Sequence, residues 1–289
     1  VSDRLLIVGA DGLLGGTLRR QLQRSGHQVA ATSLLSVPGP QNVLHLDLTQ
    51  PPETWPELPA CRAVVLCAAI TSLEQCRTNP AGTRLVNVTR TLALLERLTQ
   101  KGAFVVFISS NLVFDGTKPG RQPDEPVCPR TEYGRQKAEA EAALLRLRDQ
   151  AAIVRLTKVI HPDMPLMRGW IQSLREGKSI SPFQDFVCSP ITLDATVNAL
   201  AEIAVHRRVG IWQLSASADI SYAGIARCLA KGGGFDSALV QPGSARAGAL
   251  EHLPQHSTLD SGRAQRELGF ELLDPESVID RVFNPPKTI

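Results

Sequence analysis

Several features that would assign a chain to a special class are missing here. No apolar run approaches the roughly 18 residues that suggest a membrane span. Neither sign of charge dominates, with 31 Lys and Arg against 28 Asp and Glu for a net charge of +3. That balance excludes the strongly basic surface from which nucleic-acid or membrane binding would be read. The six cysteines (Cys61, Cys67, Cys76, Cys128, Cys188 and Cys228) show no CxxC spacing, so no metal site is expected. A chain of 289 residues can bury a core that needs no covalent staples, and reduced thiols in a cytoplasmic protein are the expectation. No leader-like apolar segment stands at the start, where Leu5-Leu6-Ile7-Val8 runs directly into a glycine-rich turn, so no signal peptide is expected. Internal repeats and low-complexity tracts are absent too. What remains is 43% hydrophobic and 20% charged, with 22 Gly and 20 Pro, an ordinary globular composition that excludes disorder, collagen and coiled coil.

Short apolar runs alternate with helix-like stretches through the first half. The runs are Leu5–Val8, Val29–Ala31, Val43–Leu46, Ala63–Cys67, Phe104–Ile108 and Ile153–Leu156. Val64-Val65-Leu66 and Phe104–Ile108 are continuous rather than alternating, as strands buried on both faces should be. Leu13–Arg24, Arg84–Thr99 and Tyr133–Leu147 are the intervening helices, and Leu85, Val88, Leu92, Leu95 and Leu98 form one apolar face of the second. Repeated strand–helix units predict an α/β fold, a Rossmann-type doubly wound parallel sheet. After about residue 157 the alternation loosens. Helices are expected near Leu193–Val205, Tyr222–Ala230 and Ser261–Leu268, with flexible connections at Gly232-Gly233-Gly234 and Gln241–Gly248. The expected division is a dinucleotide-binding domain over 1–157, with a return contribution from about 190–215, and a smaller C-terminal substrate-binding lobe over 158–289. The default ligand site is the cleft at the carboxyl ends of the sheet strands.

Gly9-Ala10-Asp11-Gly12-Leu13-Leu14-Gly15 follows the first strand and opens the first helix. One glycine permits a tight turn, the next lets backbone approach a pyrophosphate, and the last lets helix pack on strand. The helix N-terminus then offers unpaired N–H groups to phosphate. Gly9, Asp11, Gly12, Leu13, Leu14 and Gly15 are therefore candidate cofactor contacts. An NAD site usually carries Asp or Glu at the end of the second strand. Ala30-Ala31-Thr32-Ser33 has neither, so Thr32 and Ser33 are candidate partners of a 2′-phosphate, and NADP (NADPH) is expected over NAD.

Tyr133 and Lys137 stand four residues apart, on one face of a helix. A cation beside a phenol favours tyrosinate, so Lys137 is expected to lower the Tyr133 pKa and fit it for acid–base work. With only two tyrosines and seven lysines in the chain, a chance pair at this spacing arises about 5% of the time. Ser109-Ser110 closes the fifth run, where a hydroxyl can hold a substrate carbonyl. Asn87 lies within a helix, where it holds either a proton-relay water or a bend.

These residues together resemble the extended short-chain dehydrogenase/reductase family, in particular its dTDP-4-dehydrorhamnose reductase group. The likeness covers nearly the whole length. It includes the glycine loop, Cys67-Ala68-Ala69-Ile70, the stretch from Ser109 to Gly116, Glu125-Pro126 leading to Tyr133–Lys137, Ser189–Asp194, Gly210–Ser215 and Leu253–Asp260. The resemblance implies Ser110, Tyr133 and Lys137 as the catalytic set. It places Asp47 and Leu48 beside adenine and Ala68 and Ala69 along the nicotinamide channel, with Cys67, Asn87 and Ser109 among the cofactor-binding residues. Ser110, Asn111, Lys158 and Ser189 would face the substrate, a sugar nucleotide, in a cytoplasmic enzyme that can form a homodimer. The chain departs from the pattern at Asn111-Leu112, which replace Asp-Tyr, at Lys158 in place of an aromatic residue, and at Leu253 in place of Arg. Alternative activities on the same frame are a nucleotide-sugar epimerase or dehydratase and a non-catalytic NADP-binding regulatory subunit, like the beta subunit of methionine adenosyltransferase.

Overall fold

The computed structural model describes residues 3–35, 43–247 and 253–284. The chain divides into two compact units. The first comprises Val1–Val113, Val127–Arg155 and Val197–Trp212, and the second comprises Phe114–Pro126, Leu156–Thr196 and Gln213–Ile289.

In the first unit the strands are β1 (Leu5–Val8), β2 (Val29–Ser33), β3 (Val43–His45), β4 (Ala63–Leu66), β5 (Phe104–Ser110) and β6 (Ala151–Leu156). With the strand Gly210–Leu214 they make a seven-stranded sheet, running from that strand through β6, β5, β4, β1 and β2 to β3. β1 pairs in parallel with β2 and β4, β2 with β3, and β4 with β5. β1, β2 and β4 are buried along their whole length, which explains why β1 and β4 read as unbroken apolar runs. Strand order reverses between β1 and β4, and an open sheet takes its ligand beyond the carboxyl ends at such a switch point. The glycine loop after β1 and Cys67-Ala68-Ala69 after β4 flank it.

The helices are α1 (Leu13–Arg24), α2 (Leu73–Thr78), α3 (Pro80–Arg84), α4 (Thr91–Gln100) and α5 (Glu132–Leu144). Leu94, Leu95 and Leu98 of α4 and Ala140 and Leu144 of α5 pack with Leu6, Val64, Val105 and Phe107 of the sheet. Each fully buried Leu or Phe is worth about 1.5–3 kcal/mol against exposure. The helix expected over Arg84–Thr99 is not uniform, because a π-helical turn, Leu85–Arg90, joins α3 to α4. Each extra residue in a turn rotates the upstream face. Leu85, expected in the apolar stripe, is therefore 36% exposed, while Val86 and Asn87 turn inward at 7% and 2%. The helix expected over Tyr133–Leu147 stops at Leu144, followed by a tighter turn in which Arg148 takes φ 50°.

In the second unit Lys158–Ile160 pairs in parallel with Pro190–Thr192, and Ile220–Ser221 pairs antiparallel with Val187–Cys188. Ile160, Met167, Cys188, Ile225, Leu229, Val278 and Ile279 form its core. Gly232-Gly233-Gly234 is not a flexible connection. The helix Tyr222–Gly233 runs into it and ends on Gly234 at φ 65°. A Cβ at Gly232 would collide with the Asn284 side chain, so close approach explains that glycine. Of the connection expected over Gln241–Gly248, Gly248 lies outside the described residues, and Ala245–Ala247 is a single helical turn. None of the six cysteines is in a disulfide. Among the described residues no helix is long and apolar enough to cross a membrane, and no cluster of His, Cys, Asp and Glu is arranged to hold a metal.

Candidate active site

The glycine loop divides its labour. Gly9 takes φ +87°, and a Cβ there would lie 2.8 Å from the Ala68 nitrogen. A Cβ at Gly15 would collide with the Gly9 carbonyl, so these two glycines let the loop, β4 and α1 meet. Gly12 is different. A Cβ there would meet only the Gly9 oxygen, at 3.6 Å, and the residue caps α1 without any side-chain hydrogen bond. The fold tolerates a side chain at Gly12, whereas a pyrophosphate on the helix N-terminus would not. Gly12→Val is expected to leave the melting transition within a few degrees of the parent and to weaken dinucleotide binding at least about tenfold, or about 1.4 kcal/mol. Calorimetric titration with unchanged affinity in the folded variant would remove the glycine loop from the site.

Beside the loop lies a cleft of about 340 Å³, walled by Gly9, Asp11, Gly12, Thr32, Leu34, the stretch 46–49, the stretch 67–70, Val8 and Val86. Leu13, Leu14, Gly15 and Ser33 lie outside this wall, and Leu13 is 45% exposed. Asp47 accepts from the Thr49 nitrogen (2.8 Å) and hydroxyl (2.7 Å). Burial raises its pKa, but these bonds and His45 outweigh that and leave it below the ordinary carboxylate value. The Thr32 hydroxyl is buried and accepts from the Gly9 nitrogen at 3.2 Å, so it braces the glycine loop. Ser33 is likewise engaged, accepting from the Leu35 nitrogen at 2.9 Å. Asp11 holds the Leu34 nitrogen at 3.3 Å, which places a carboxylate just past β2. The expectation of NADP rests on the lack of a carboxylate within residues 30–33; that stretch has none, and Asp11 brings one to its end from the glycine loop. The cleft, the open position at Gly12 and the twelve-residue α1 fit an extended dinucleotide.

Tyr133 and Lys137 project from the first turns of α5, whose cap is the Thr131 hydroxyl accepting from the Gly134 nitrogen at 3.1 Å. Both are buried, at 9% and 3% exposure. The Lys137 ammonium donates to the Ile108 carbonyl at 2.8 Å and lies 4.6 Å from the Phe107 ring centre and 5.7 Å from that of Tyr133. Burial pulls its pKa down to about 8, against the opposing pull of Glu141. The expected effect on Tyr133 is reversed. Desolvation, then Cys76, pushes the phenol above its ordinary value, so at neutral pH it is a protonated acid. Among the described residues nothing hydrogen-bonds its hydroxyl. Burial also pushes the Cys67 thiol up to about 12 despite Lys137, so Cys67 is no nucleophile. Since Lys137 is a cation below about 8 and neutral above it, kcat/KM for carbonyl reduction is expected to fall as pH rises through that value. A pH profile flat to pH 10 would count against a role for the ammonium.

Ser110 is half-buried at the end of β5, accepting from the Leu112 nitrogen at 3.2 Å and donating to Asn111 Oδ1 at 3.3 Å. Asn111 is thereby tied to Ser110. Ser109 Oγ is buried with no partner among the described residues. The π-turn carries Asn87 inward, where its amide brackets Ile70, donating to the carbonyl at 2.9 Å and accepting from the nitrogen at 2.8 Å. It also donates to Gln136 Oε1 at 2.8 Å, and Gln136 donates to the Thr83 hydroxyl at 2.9 Å. Asn87 thus ties the segment after β4 to the helix that bears Tyr133 and Lys137. Gln136 and Thr83 were not expected in the site, and only the position of Gln136 between Tyr133 and Lys137 hinted at it.

The residues of the second unit have local roles of their own. Ser189 is fully buried, 2.9 Å from the Ser215 hydroxyl and accepting from the Ala216 nitrogen at 3.0 Å. Its hydroxyl is a structural link. Lys158 is half-buried at the start of its strand, and its charge pulls against the burial that raises the Cys188 pKa to about 12. Asp115 and Glu125 both bind Arg121, at 2.5 and 2.9 Å, which explains two acidic positions of the motif.

A family model, the RmlD substrate binding domain, matches residues 3–286. The spore coat polysaccharide biosynthesis protein SpsK of Bacillus subtilis (strain 168) is 27% identical over 272 residues, covering 92% of each chain. Two solved structures share the fold. The dTDP-4-dehydrorhamnose reductase of Bacillus anthracis str. Ames, in complex with NADP, superposes with TM-score 0.82 at 20% identity, covering 99% of this chain and 100% of that one. MoeE5, in complex with UDP-glucose and NAD, gives 0.80 at 23%, covering 96% and 97%.

Proposed function

Because the chain belongs to the RmlD substrate-binding-domain family, we propose that it is a nicotinamide-dependent reductase of a keto group on a nucleotide-linked deoxysugar. The observation that carries the reading is the buried Tyr133–Lys137 pair on α5, held beside the segment after β4 by Asn87 and Gln136. When bound, the reduced nicotinamide supplies a hydride to the carbonyl carbon. Tyr133 gives its proton to the carbonyl oxygen, and its raised pKa keeps that proton in place at neutral pH. Lys137 holds a positive charge near the phenol and stabilises the tyrosinate left behind. Ser110 donates to the carbonyl oxygen and fixes its direction. Gly9, Gly12, Asp47 and Ala68 line the cleft assigned to the dinucleotide. The relatives solved with NADP and with NAD support a nicotinamide cofactor without choosing between them. The cytoplasmic setting and homodimer expected from the sequence belong to the same proposal.

A dehydratase needs acidic groups for proton transfer next to the hydroxyl that holds the carbonyl, and Asn111-Leu112 follow Ser110 instead. The departures at Lys158 and Leu253 favour a sugar whose polar groups differ from those of dTDP-4-dehydrorhamnose. The test is to mix the protein with NADH or NADPH and a panel of 4-keto nucleotide sugars while following the absorbance of the reduced nicotinamide. Stoichiometric oxidation with turnover is expected. Retained NAD without net oxidation would favour an epimerase, and binding without turnover a regulatory subunit.

A further inference from the structure

The end of β2 is where a Rossmann-type site meets the adenosine ribose. A carboxylate from the strand itself usually accepts a hydrogen bond from the ribose 2′-hydroxyl and repels a 2′-phosphate. Residues 30–33 lack one, but the structure brings Asp11 across from the glycine loop, its Oδ2 accepting from the Leu34 nitrogen at 3.3 Å. Asp11, Thr32 and Leu34 line the same cleft, with Asp47 as its other acid. The surrounding charge points the same way. Between Arg24 and Arg62 the sequence holds no lysine or arginine at all, and among the described residues no wall residue of the cleft is cationic. His45, one of two histidines in that interval, acts on Asp47 and lowers its pKa. A 2′-phosphate, with about −1.5 to −2 charges at neutral pH, would meet a cleft wall that holds two carboxylates and, among the described residues, no permanent cation.

We infer that Asp11 is the residue that sets cofactor choice, accepting the ribose 2′-hydroxyl and repelling the 2′-phosphate, so that the chain prefers NAD(H) to NADP(H). The inference rests on the dinucleotide assignment of the cleft. It replaces the expectation of NADP, because the carboxylate missing from β2 is supplied from 23 residues upstream.

Equilibrium titration calorimetry of the full chain with NADH and NADPH, without substrate, reads this directly. NADH is expected to bind at least about tenfold more tightly at low salt. The disadvantage of NADPH should shrink as salt is raised, because the repulsion is screened within about 10 Å at 0.1 M. Asp11→Asn keeps the size and an acceptor for the Leu34 nitrogen but removes the charge. It should improve NADPH binding several-fold and weaken NADH binding several-fold, because the ribose 2′-hydroxyl loses its charged acceptor. Asp11 is exposed, so the variant should fold, and its circular dichroism and melting curve check that. NADPH binding as tightly as NADH in the parent, or a ratio unchanged in Asp11→Asn, overturns the assignment of Asp11. Binding of neither nucleotide by the parent overturns the dinucleotide reading, and this inference with it.

Discussion

Tyr133→Phe is expected to lower kcat for carbonyl reduction by about 100-fold or more, the scale of one positioned general acid. The ring is 9% exposed and packs beside Lys137, and Phe fills the same space without the hydroxyl. Among the described residues that hydroxyl has no hydrogen-bond partner, so its removal leaves no orphaned group, and the melting temperature should stay where it is. The cleft wall does not include Tyr133, so dinucleotide affinity should change little. Loss of turnover with unchanged binding and stability is the pattern of a proton donor used only in the reaction. Undiminished turnover would mean that the proton comes from another group. The Lys137→Met variant should share the kinetic defect, but it also frees the Ile108 carbonyl that the ammonium now satisfies, so some stability should go with it.

Local rules made the frame readable and failed where distant groups meet. β1 occupies Leu5–Val8 as expected, and β4 spans Ala63–Leu66, because strands buried on both faces write themselves as continuous apolar runs. The glycine spacing was informative for a similar reason. Gly9 answers to the backbone at Ala68 and Gly15 to the Gly9 carbonyl, and of the three only Gly12 is left open for a ligand. The π-turn at Leu85–Arg90 left no comparable trace, since periodicity on either side of it reads as one helix. Its consequence, Asn87 facing Gln136 49 residues on, is a tertiary fact. Charge was misjudged for a related reason. Spacing on a helix shows that Tyr133 and Lys137 are near each other, but not that both are desolvated, and desolvation sets both directions of shift. Ser189 looked like a substrate ligand by its place in a motif, yet the chain returns at Ser215 and Ala216 to consume its hydroxyl.

Removing Glu141 is expected to cost about 3–5 kcal/mol of stability, the scale for breaking a buried ion pair from one side. Glu141 lies on α5 four residues after Lys137, and its carboxylate takes the Arg155 guanidinium through Nε at 3.1 and 3.2 Å and Nη2 at 2.7 Å. The two side chains are 2% and 3% exposed, so this bridge pins the catalytic helix to β6 with no water to replace either partner. Glu141→Gln keeps the shape and loses the charge, leaving a buried guanidinium uncompensated. Against a typical total of about 5–15 kcal/mol, that should appear as a large drop in the urea midpoint. Replacing both partners, Glu141→Gln with Arg155→Met, should recover much of the loss, because a paired apolar substitution leaves no orphaned charge. Kinetics offer an independent check. Glu141 is the carboxylate that holds the Lys137 pKa up against burial, so without it the ammonium should lose its proton below about 8. In the double variant, stable enough to assay, the alkaline fall of kcat/KM should therefore begin at lower pH than in the parent. A Glu141→Gln protein within 1 kcal/mol of the parent, or an alkaline limb that does not move, would show that the bridge neither anchors α5 nor tunes Lys137.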